Sequence, residues 1–84
     1  MISTMQDLIA DALFASALQP SDAPVADAVR ATVTSMLLRV GSDGCAATVA
    51  QEFGDHPETA VRRMVWVRKL MSGTYPDMSG LVSA

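Results

Sequence analysis

The sequence predicts an all-α fold: one compact domain of four helices over residues 1–73, the last two helix-turn-helix-like, then a C-terminal tail at 74–84. Three observations point there. Apolar residues recur at the three- and four-residue steps of a helix rather than alternating as in a strand. Ser, Thr, Asp, Gly and Pro stand where helices would start and stop. The β-branched residues fall at helical spacing and leave no convincing strand.

The first helix is expected to open on a capping box of Ser3 and Gln6, in which each side chain satisfies the other's free backbone N–H. Met5, Leu8, Ile9, Ala12 and Leu13 then share a face. Gln19-Pro20-Ser21-Asp22 ends that helix, because proline disfavours helical geometry in the residue before it. Ser21 or Asp22 should cap the second helix, with Pro24 in its first turn. Val25, Val29, Val33, Met36, Leu37 and Val40 form the clearest stripe in the chain, with Asp27, Arg30 and Arg39 directed away. Gly41 follows as a left-handed C-cap. Ser42-Asp43-Gly44 reads as a turn into a short third helix, about Cys45 to Phe53, closed by Gly54. Asp55 and Glu58 match a second capping box, opening a fourth helix from about His56 to Ser72, which Gly73 stops.

Composition limits what such a domain can be. At 84 residues it buries only about 60–65% of the surface its unfolded chain exposes. Half its residues are apolar and Cys45 is its only cysteine, so no disulfide supplements the core. Self-association would answer both the surplus of apolar residues and the small core. A net charge of −3 weighs against general nucleic-acid binding, which depends on neutralising phosphates. The charge is uneven, however. Residues 1–44 set five aspartates against Arg30 and Arg39, whereas Arg62, Arg63, Arg68 and Lys69 crowd the second half. An unpaired cysteine, no basic apolar leader and no membrane-length apolar run lead to the expectation of a cytoplasmic protein without membrane contact.

Ala10-Asp11-Ala12-Leu13-Phe14, Gln19-Pro20-Ser21-Asp22, Gly44-Cys45-Ala46 and the run from Val49 to Glu58 stand in order, followed by Arg63-Met64 and Trp66. In these residues the chain resembles a group of short actinobacterial proteins of unknown function. The resemblance implies a bacterial, cytoplasmic protein and carries no activity, cofactor or catalytic residue.

Four constellations bear on function. Ala50, Gly54, Val61 and Met64 nearly match the small-residue, glycine and apolar spacing of a helix-turn-helix, which would put Glu58, Thr59, Arg62 and Arg63 at the reading end of the last helix. Glu58 among them and Asp55 beside them would repel phosphate. Cys45, near a helix start, could be an activated thiol, but free cysteine is more often buried and inert. Cys45, Asp55, His56 and Glu58 lack the close pairing of a zinc site, and one histidine offers little for catalysis. No catalytic, cofactor or metal residue is assigned.

The fourth helix is the most informative. Val61, Met64, Val65, Val67 and Met71 suggest a broad inward face, with Trp66 and Leu70 on the other side beside Arg62 and Arg63. Phe14 and Leu18 repeat this feature on the first helix. Either these two residues cover Trp66 and Leu70 within the chain, or Trp66, Leu70, Arg62, Arg63, Phe14 and Leu18 form a surface for another chain. The expected function is a non-catalytic interaction or regulatory module using an apolar and basic surface of the fourth helix, self-associating as a homodimer or binding a protein partner. The alternative is a helix-turn-helix DNA-binding regulator.

Overall fold

A computed structural model describes residues 4–75. It contains α1 (Met5–Ala15), a 3-10 turn (Pro20–Asp22), α2 (Ala26–Arg39), α3 (Gly41–Asp55) and α4 (Pro57–Thr74). The described residues contain four α-helices and no strand, as the periodicities predict. The tail from residue 76 and the predicted cap Ser3 lie outside the described residues.

The helix boundaries correct several local expectations. The capping box of α1 is made one residue later, by Thr4 and Asp7. The Asp7 amide donates to Thr4 Oγ1 (3.1 Å) and the Thr4 amide to Asp7 Oδ2 (3.4 Å). Asp22 caps the 3-10 turn rather than α2, its Oδ2 accepting the Gln19 N–H at 2.8 Å. Ala23 then turns the chain with a left-handed φ of 44°, and Val25 begins α2 without a side-chain cap.

Gly41 does adopt the left-handed conformation, at φ +84°. It reverses the chain alone, so Ser42, Asp43 and Gly44 are helical rather than a turn, and α3 is longer than predicted. Asp43 suits that first turn because a carboxylate favours the positive end of a helix dipole. A Cβ at Gly44 would meet Val40 Cγ1 at 2.6 Å, so a larger residue there would require the exposed Val40 side chain to shift. Asp55 stays within α3, and Pro57 starts α4 after the single residue His56, so no Asp55–Glu58 capping box forms. Gly73 does not stop α4, which continues to Thr74.

Packing centres on α1. It contacts all three other helices, most extensively α3. Ile9, Ala10, Ala12, Leu13 and Phe14 of α1 make up five of the eleven core residues. Val29 and Val33 enter from α2, Cys45 from α3, and Ala60, Val67 and Met71 from α4. The predicted α2 stripe is therefore correct at its centre and open at its ends, where Val25 and Val40 are exposed. Met5, predicted on the inner face of α1, is exposed too. The joints differ in length: ten residues separate α1 from α2, but only Val40 and His56 separate the later helices.

Candidate functional site

The end of α1 determines how α4 sits. A helix leaves its last four carbonyls without intrahelical partners. Arg63, half-buried on α4, supplies donors for this end from 47 to 50 residues away. Its Nε donates to the Phe14 carbonyl (2.8 Å), and its Nη2 donates to the carbonyls of Ser16 (2.9 Å) and Leu13 (3.2 Å). A guanidinium suits the task because its planar fork holds several donors and always carries charge, which complements the negative end of the dipole. Burial pushes its pKa down from the ordinary arginine value.

The Arg63 guanidinium also lies over the rings of Phe14 and Trp66, 5.6 Å and 5.4 Å from their centroids. Phe14 in turn stacks on Phe53 of α3, with centroids 5.9 Å apart. Arg63 thus joins α1, α3 and α4 at one point. Its donors are directed at the end of α1, while the side chain stays half-buried at the groove wall.

The other predicted surface residues divide in the same way. Phe14 is 4% exposed and belongs to the core. Leu18, Trp66 and Leu70 are half-buried and pack against that core. Arg62 alone of the six is exposed. Beside Arg63 lies a groove of about 620 Å³, walled by Phe14, Pro20, Glu52, His56, Arg62 and Trp66 among others. Its side chains are mixed in chemistry, apolar, polar and charged.

The outward side of α4 is the surface that sequence reasoning missed. Val61 and Val65 were expected inside, yet they are 52% and 58% exposed. Around them Glu58, Arg62, Arg68, Lys69 and Ser72 are exposed as well. Glu58, Val61, Val65, Arg68 and Ser72 follow one another at steps of three, four, three and four. That is the spacing of the contact seam in a two-helix coiled coil. The alternation was visible in the sequence, but Met64, Val67 and Met71 offered a competing stripe one position away.

Cys45 is fully buried, and burial followed by the nearby Asp11 charge pushes its thiol pKa up. It therefore sits opposite to the low-pKa environment of a reactive cysteine. Among the described residues, no three His, Cys, Asp or Glu side chains are grouped to hold a metal ion, and no helix is long and apolar enough to cross a membrane. The single residue between α3 and α4 is shorter than the three- or four-residue turn of a DNA-binding helix-turn-helix. No known protein family, curated protein or solved structure matches the chain. The resemblance to short actinobacterial proteins rests on the quoted residues alone.

Proposed function

We propose that this protein is a non-catalytic interaction module, working in the cytoplasm, whose contact surface is the outward side of α4. One observation supports the reading above the others: Val61 and Val65 stand exposed one turn apart, bordered by Arg62, Arg68 and Lys69. Isolated exposed apolar residues are ordinary on any protein. Two β-branched residues on one helical seam, rimmed by charge, have the apolar centre and polar border of a protein interface. Arginine at such a border adds donors that pair readily with carboxylates.

DNA binding is the second reading, favoured by the same three bases. Glu58 shares their surface and Arg63 is occupied by carbonyls, which leaves few cations for phosphate. Any binding should be weak and fall steeply with salt.

The test is a photo-crosslinking residue at position 65 in cells making the protein, with position 47 on exposed α3 as control. Protein adducts from position 65, abolished by Val61→Asp, are the expected result. Adducts to nucleic acid alone would promote the second reading. Equal labelling from both positions, or none from either, would overturn the module.

A further inference from the structure

We infer that the partner of the outward α4 face is a second copy of this chain, docked antiparallel across a two-fold axis that passes near residue 63. The inference rests on the interaction surface proposed above and names its occupant.

Register and charge both favour this pairing. Seam residues Glu58, Val61, Val65 and Arg68 are arranged symmetrically about position 63. Laid antiparallel on its own copy, α4 therefore sets Val61 against the copy's Val65, and Glu58 against the copy's Arg68. Each contact occurs twice, as a two-fold interface requires, since residue i meets j and j meets i. The two valine layers form an apolar centre and the two acid–base pairs close its ends.

A parallel pairing fails on the same residues. It would put Glu58 against Glu58 and Arg68 against Arg68, and like charges placed face to face oppose association. Charge thus selects the orientation, while the three-four spacing supplies the seam. Arg62 and Lys69 lie on the flank toward the groove, at the rim, where their charges stay in water. Among the described residues Glu58 and Arg68 form no salt bridge; Arg68 is exposed and acts on Asp11 only through its charge, so both side chains can pair with a partner.

The contact is small, one short helix against another, and belongs with weak, reversible interfaces rather than obligate ones. Sedimentation across a concentration series up to about 1 mM, where a weak interface populates, reads the dimer directly. Glu58→Arg and Arg68→Glu should each weaken it about tenfold or more, because each puts like charges together at both ends. Mixed in equal amounts, the two variants should associate with each other about as tightly as wild type. Circular dichroism on each variant confirms that α4 remains helical.

Cysteine cross-linking gives an independent reading of orientation at positions where the fold tolerates change. Val61→Cys and Val65→Cys chains should form a mixed disulfide in preference to either symmetric one. Symmetric disulfides in excess would replace the antiparallel pair with a parallel one and overturn the register. A wild-type chain monomeric at every concentration overturns the second copy as partner. Adducts from position 65 to a different protein would then leave the interaction module itself standing.

Discussion

The two sides of α4 are built from the same kinds of residue and behave in opposite ways. Val67 is buried and Val65, two positions earlier, is 58% exposed. Arg63 is bonded to the carbonyls of Leu13 and Phe14 in α1 and of its C-cap Ser16, while its neighbour Arg62 is exposed. Residue type therefore says little about side in this helix. What decides is angular position relative to α1, whose unsatisfied carbonyls draw in one arginine and whose Leu13 and Phe14 receive the apolar residues beside it.

The strongest way to break this contrast is to charge each side in turn. Val67→Asp should cost about 4 kcal/mol or more, because it buries an unpaired carboxylate, and that can unfold a domain with only about 5–15 kcal/mol in hand. Val65→Asp should change folding stability by no more than about 0.5 kcal/mol, as surface substitutions do. Denaturant titrations of the two variants check this. Similar losses in both would mean that Val65 is covered in the isolated domain.

Next in size comes the arginine pair. Arg63→Ala removes three charge-assisted hydrogen bonds at the end of α1, where only the Leu13 carbonyl keeps other donors, from Ser16, so a loss of about 2–4 kcal/mol is expected. Arg62→Ala should cost less than about 0.5 kcal/mol. Arg63→Lys keeps the charge but not the fork, and should recover less than half of the loss. Should Arg62→Ala prove as costly as Arg63→Ala, the division of roles between them fails.

Cys45 extends the contrast to the interior that α4 helps close. With its thiol buried and its pKa raised, it should label at least about a hundredfold more slowly in the native protein than in denaturant at neutral pH. Rapid native labelling would restore a reactive role.

The smallest effect expected is at Asp11, which is half-buried. Its pKa is raised first by burial, then by the charge of Asp7, with Arg68 opposing. A carboxyl whose pKa rises on folding costs stability once it ionises, above both its unfolded and folded values, and costs nothing below the unfolded value. Asp11→Asn should therefore stabilise the protein modestly at pH 7, and the gain should vanish as the pH falls below the ordinary carboxyl range. Melting curves at pH 3 and pH 7 distinguish this from a gain present at both.

Much of the fold was legible because helices declare themselves by local rules. The four helices, the Val29–Val33 centre of α2 and the left-handed Gly41 all followed from spacing and backbone preference. Boundaries were less legible where two local signals competed. Asp55-His56-Pro57-Glu58 looks like a cap, yet helical bonding in α3 runs through Asp55, and His56 suffices as a joint. On α4 the sequence reading placed Met64, Val67 and Met71 on the inner side correctly but put Val61 and Val65 there too, where they are exposed. Apolar residues occur on both sides of that helix, so periodicity alone could not orient it. The deciding contacts of Arg63 span nearly fifty residues and leave no local trace.

The unequal joints have a further consequence. With one residue between each of the later helices, α2, α3 and α4 are nearly a single jointed piece, whereas α1 hangs on a ten-residue strap. Cutting that strap near Gln19 would divide the protein into a short plug and a socket. Burial of Ile9, Ala10, Ala12, Leu13 and Phe14 and the three bonds from Arg63 would hold the plug in place. A synthetic α1 peptide should therefore restore helicity when added to the remaining chain, and should bind less tightly where the remaining chain carries Arg63→Ala.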